Sequence, residues 1–135
     1  MRTHIEFLSG AFPPYESEEE EINPGKYGKR LADFLADGLK SHGFHVTAVS
    51  PEDWGWMIEL ENKEFPLWVR SENYEEDANG FLCFIEPSKP TIRKWFKKID
   101  TTDTVERLAS AIESIPEQSD NVSNIRWWTE AQSRV

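Results

Sequence analysis

Residues 52–61, Glu-Asp-Trp-Gly-Trp-Met-Ile-Glu-Leu-Glu, constrain the fold more than any other stretch of this chain. An extended strand turns successive side chains to opposite faces. Trp54, Trp56, Ile58 and Leu60 are therefore expected on one side, and Gly55, Met57, Glu59 and Glu61 on the other. One side must be buried, and the other tolerates water. Glycine weakens a strand interior, so Gly55 between two indoles marks a bulge or a place where another group comes close to the backbone.

The flanking sequence supplies partners for this strand. Tyr27, Leu31, Phe34, Leu35 and Leu39 recur at helical spacing, with Lys29, Arg30, Asp33, Asp37 and Lys40 on the opposite side. Asn23 and Pro24 read as the cap and first turn. Gly43 reads as a left-handed stop, with Phe44 folding back on Leu39. A helix is expected over 24–42. Strands are expected at 3–8 and 44–49, and the strand–helix–strand order predicts that these two pair in parallel through a right-handed crossover. Segments 54–61, 65–71 and 81–86 read as an antiparallel meander.

Ile92, Trp95, Phe96 and Ile99 fall at i, i+3, i+4 and i+7, with Arg93, Lys94, Lys97 and Lys98 between them. That spacing predicts a short basic amphipathic helix. Asp103 and Glu106 resemble a capping box opening a last helix over about 103–115, before Pro116. Residues 122–129 read as a final strand with Ile125 and Trp127 on one face and Arg126 and Trp128 on the other. The expected order is β-α-β-β-β-β-α-α-β. This is an α+β fold with a mainly antiparallel twisted sheet of five to six strands and helices packed on one face.

At 135 residues the chain is expected to form a single domain over 1–135 that buries roughly two-thirds of its unfolded surface. Aromatic residues, among them six Trp and eight Phe, supply much of that core. Residues 10–22 contain the run Glu16-Ser17-Glu18-Glu19-Glu20-Glu21 and are expected to form a mobile, solvated acidic loop, because like charges at this density repel. The net charge of −10 favours solubility and argues against general nucleic-acid binding. Cys83, the single cysteine, lies in the apolar run 81–85 and reads as a buried small hydrophobe, which fits a reducing, cytoplasmic setting. No apolar stretch approaches about 18 residues, and the N-terminus lacks a signal-like apolar block. Membrane attachment through the basic segment is not expected, since Trp95 and Phe96 would be needed for the core.

Catalytic signatures of the serine-hydrolase elbow, phosphate-loop, zinc-protease and dinucleotide types are absent. No cofactor is expected. His42 and His45 have the spacing of metal ligands but flank a helix end, so no metal site is expected there. The candidate partner-binding residues are the acidic turn Glu52 and Asp53, the loop residues Tyr74, Glu75, Glu76 and Asp77, and the Arg126–Trp128 pair. Trp and Arg are the types enriched at interface hot spots. Arg93, Lys94, Lys97 and Lys98 are candidate anion contacts, against the plainer reading of a solvated face pairing with the protein's own acids.

Together these features favour a non-enzymatic cytoplasmic module using an acidic surface to engage a basic protein partner, in the manner of an inhibitor or immunity protein. The alternative is a small-molecule binder or enzyme with a pocket of Trp54, Trp56 and Trp68 carrying Glu52, Asp53 or Arg70. A homodimer paired through a sheet edge is a third reading.

Overall fold

The computed structural model describes residues 1–16, 18, 27–74, 79–117 and 122–129. In chain order the elements are β1 (His4–Ser9), α1 (Lys29–Ser41), β2 (Val46–Glu52), β3 (Gly55–Leu60), β4 (Leu67–Asn73), β5 (Gly80–Glu86), β6 (Thr91–Lys94), β7 (Lys97–Asp100), α2 (Thr102–Glu117) and β8 (Val122–Trp128). Six strands form one sheet in the order β2-β3-β4-β5-β1-β8, and β6 and β7 form a separate two-stranded sheet. The fold is α+β with an antiparallel main sheet.

The expected parallel pairing of the first two strands does not form. β5 and β8 pair antiparallel with the two edges of β1, leaving no edge of it for β2. β2 instead enters beyond β3, at the far side of the sheet. The meander β2-β3-β4-β5 is built of neighbours in sequence, as its short connections dictate.

α1 follows its leucine periodicity, burying Leu31, Ala32, Leu35, Ala36 and Leu39. The expected start at Asn23-Pro24 lies outside the described residues. At the other end Gly43 takes φ 86°, the Gly43 N–H donates to Lys40 O at 3.2 Å, and the Phe44 N–H donates to Leu39 O at 3.0 Å. This is the Schellman pattern, in which a left-handed residue returns two donors to the orphan carbonyls of the last turn. α1 crosses α2 at Gly38, where a Cβ would lie 2.7 Å from the Ile115 side chain. The start of α2 is capped by Asp100, whose Oδ1 accepts the Thr102 N–H at 2.8 Å, and these bonds hold the Asp100 carboxyl below its usual pKa. Glu106, expected to close a capping box with Asp103, instead accepts the Arg2 N–H at 2.8 Å.

The basic segment is a β-hairpin, not a helix. Ile92 and Ile99 face each other across its ladder, and both pack against the core. Spacing of i and i+7 places two residues on one helix face, but with a two-residue turn midway it also makes them cross-strand partners. The β-branched Thr91, Ile92 and Ile99 favour the second outcome. The core joins Val105, Leu108 and Ile112 of α2 to α1 and to alternating residues of β1, β3, β4 and β5. Among the described residues no helix is long and apolar enough to cross a membrane.

Candidate functional site

The strand pleat divides the sheet residues into two sets. Ile5 and Phe7, Trp56, Ile58 and Leu60, Leu67 and Val69, and Phe81, Cys83 and Ile85 belong to the core shared with the helices. The intervening residues point to the opposite face, where cross-strand register sorts them into rows. Glu59, Trp68 and Glu86 form one row. Met57, Arg70, Phe84, His4 and Trp128 form the next. Glu72, Leu82, Glu6 and Arg126 form the third.

The middle row is a stack of rings and guanidinium. Arg70 Cζ lies 4.1 Å from the Phe84 ring centre, Phe84 stacks on His4 at 4.8 Å, and His4 stacks on Trp128 at 5.7 Å. Arg126 Cζ sits 5.0 Å from the Trp128 ring. Such contacts contribute roughly 0.5–2 kcal/mol each and lock side chains that would otherwise move freely. Carboxylates complete the lock, since Glu72 lies 3.5 Å from Arg70 and Glu6 lies 3.2 Å from Arg126. Among the described residues, Arg70 Nε and Trp128 Nε1 are buried on this face without a hydrogen-bond partner. The expected Arg126–Trp128 pair is present, with Glu6 as its carboxylate.

Trp54 joins this face, contrary to expectation. Gly55 adopts φ 151°, and a Cβ there would sit 2.4 Å from Ser71 O. The approach of the β4 backbone admits only glycine, and the unusual φ breaks the two-residue alternation. Trp56 consequently enters the core while Trp54 lies over Arg70, its ring centre 4.0 Å from Cζ. Trp68 is on the outer face as well, so Trp54, Trp56 and Trp68 do not line one pocket. Glu52 is half-buried and Asp53 exposed at the end of the β2–β3 hairpin.

Tyr74 donates its hydroxyl to Glu6 Oε2 at 2.8 Å. Burial first, and the neighbouring Glu6 second, raise the Tyr74 pKa far above its usual value. Glu6, Phe7, Leu8, Tyr74 and Asn124 line a cavity of about 250 Å³. Glu75, Glu76 and Asp77 lie outside the described residues.

The sequence reading missed Glu18. Expected within a solvated run, it is buried, at 2% exposure. Its Oε2 accepts the Gly28 and Lys29 N–H groups at 2.8 and 3.0 Å and the Trp56 indole N–H at 2.9 Å, and its Oε1 accepts the Tyr15 N–H at 3.0 Å. The protein's own carboxylate thus fills the anion-favouring start of α1 and ties the core tryptophan to it. Phe12, in the same loop, is also buried.

The hairpin β6–β7 presents the other concentration of aromatic and cationic groups. Trp95 and Phe96 form its turn at 88% and 104% exposure, so they are not core residues, and Arg93, Lys94, Lys97 and Lys98 are exposed beside them. Trp95 has φ 60°, a left-handed value that is strained for a large side chain. A cleft of about 450 Å³ beside the hairpin is lined by Lys63, Glu64, Lys94, Lys97, Lys98, Ile99 and Asp100.

The histidines do not converge. His42 meets Gly38 O at 2.9 Å and Ser114 Oγ at 3.0 Å, whereas His45 meets Glu61 at 2.8 Å. Among the described residues no group of three His, Cys, Asp or Glu side chains is placed to hold a metal ion. Burial pushes the Cys83 thiol up to about 12. The fold and site together define a small α+β protein with an aromatic–ionic sheet face and a basic aromatic finger. No family model, curated protein or solved structure matches this chain.

Proposed function

We propose that this protein is a non-enzymatic, cytoplasmic binding module in which the two helices cover one face of the sheet and the other face engages a basic protein partner. One observation carries the reading. Among the described residues, the outer rows and the Trp54 and Tyr74 side chains that contact them combine Met57, Trp68 and Trp128 with four carboxylates, Glu6, Glu59, Glu72 and Glu86, and two arginines, Arg70 and Arg126. Aromatic residues, Met and Arg are the types enriched at interfaces. Both guanidiniums are already engaged by rings and carboxylates, so the face keeps an acidic balance that attracts a cationic surface. Glu52 and Asp53 extend that charge to the end of β2–β3. An inhibitor or immunity-type role fits a rigid prearranged face of this kind, because little ordering entropy remains to be lost on docking.

Immobilised protein should retain a specific basic protein at low salt and release it at high salt, as charge-steered association requires. A Glu59→Gln/Trp68→Ala variant should lose that protein, while a Trp95→Ser variant keeps it. Equal capture by Glu59→Gln/Trp68→Ala and the unmodified chain would remove the sheet face as the interface. The second reading, a small-molecule site, rests on the cavity at Glu6 and Tyr74, whose 250 Å³ falls just under the usual range of about 300–1,000 Å³.

A further inference from the structure

The geometry points to a peripheral membrane contact made by the β6–β7 hairpin: we infer that Trp95 and Phe96 enter the interfacial zone of an anionic phospholipid bilayer while the flanking cations bind its headgroups. This surface is separate from the sheet face proposed above, and either can fail without the other.

Three observations carry the inference. The first is the order of the side chains along the finger. Trp95 and Phe96, nearly or fully exposed, occupy the apex, and Arg93, Lys94, Lys97 and Lys98 lie directly behind them on both strands. Apolar groups ahead of cations match the order of a bilayer surface, where amphipathic rings settle at headgroup level and Lys and Arg meet the anionic layer. A platform for stacking single-stranded nucleic acid places its rings along a groove that follows the backbone, not at a point.

The second is charge. With these four cations set aside, the rest of the chain carries −14 against a net −10. The finger is therefore a local excess of positive charge set against that background. Trp95 stands three residues beyond Ile92, the last core-packed residue of β6, a reach of roughly 10 Å in extended chain. That distance is about one Debye length at physiological salt, so the acids of the body are largely screened from a surface met by the tip.

The third is a headgroup-sized cleft beside the finger. Its 450 Å³ volume is lined by Lys63, Lys94, Lys97 and Lys98 together with Glu64, Ile99 and Asp100. Four lysines against two carboxylates leave the lining with a positive balance that suits a phosphate ester. The finger is also held firmly at its base. The Thr101 N–H donates to Pro90 O at 2.9 Å, and the Thr101 hydroxyl donates to Lys89 O. The exposed apex is thus presented by a fixed base.

Sedimentation of the full chain with vesicles tests this. Vesicles of phosphatidylcholine containing about one-third phosphatidylserine should carry down at least about tenfold more protein than pure phosphatidylcholine vesicles at low salt. Trp95→Ser/Phe96→Ser should lower binding to the anionic vesicles at least about tenfold, and Lys94→Gln/Lys97→Gln/Lys98→Gln should lower it and flatten its salt dependence. Circular dichroism matching the unmodified chain establishes that each variant is folded. Failure of the unmodified protein to sediment with anionic vesicles would overturn the inference. So would equal sedimentation of Trp95→Ser/Phe96→Ser, or binding to single-stranded DNA or to an acidic protein with none to vesicles.

Discussion

The outer sheet face and the β6–β7 finger are built from the same kinds of residue and do opposite things with them. On the sheet, Arg70 lies between Trp54 and Phe84, and Arg126 lies over Trp128 with Glu6 beside it, so each cation is held by a ring and a carboxylate. On the finger, Trp95 and Phe96 are turned out to solvent beside four exposed cations. The difference lies in the backbone. Six strands in register bring side chains to fixed spacings at which they lock, whereas a two-stranded hairpin has no neighbouring strand to supply partners. Composition alone therefore does not identify a working surface. What matters is whether the groups are already engaged with one another.

The locked face is most vulnerable at Gly55. Gly55→Ala would place a Cβ 2.4 Å from Ser71 O in a left-handed conformation, and should cost about 3 kcal/mol or more while releasing Trp54 from Arg70. Denaturant unfolding measures the loss. Glu18→Ala would leave the Gly28, Lys29 and Trp56 donors without their acceptor, and should cost about 2–3 kcal/mol by the same method. Arg70→Leu keeps packing but removes the cation between two rings, and should cost about 1 kcal/mol.

Alkaline pH sharpens the contrast. Burial raises the Cys83 thiol from 9.0 to about 12, and it raises the Tyr74 hydroxyl as well. Groups held neutral in the folded state contribute stability that is complete below their unfolded pKa and lost as pH rises through the folded one. Urea midpoints should thus fall between pH 9.0 and about 12. Cys83→Ala should flatten part of that fall. The smallest expected effect belongs to the finger, where Trp95→Ser/Phe96→Ser should change stability by no more than about 0.5 kcal/mol, since neither ring is packed.

Much of the scaffold was legible in the residues, and the departures have local physical causes. α1 could be read because its leucine stripe and the Gly43 stop agree. The inward set Trp56, Ile58 and Leu60 could be read from alternation, but Trp54 could not, because the φ of Gly55 is set by the close passage of Ser71. The hairpin was misread because Ile92 and Ile99 satisfy a helical and a cross-strand spacing at once. Of the candidate site, Arg126 and Trp128 were found by alternation, and Tyr74 lies beside them through Glu6. Glu18 gave no signal, since nothing in a run of glutamates distinguishes the one that meets two N–H groups at a helix start, the Tyr15 N–H and an indole.

Fluorine NMR of the chain labelled with fluorotryptophan tests the contrast most directly, because each of the six tryptophans reports its own surroundings. Trp95 should show the largest solvent-dependent shift and Trp56 the smallest. A Trp95 signal as protected from solvent as that of Trp56 would contradict the division into a locked face and a free finger.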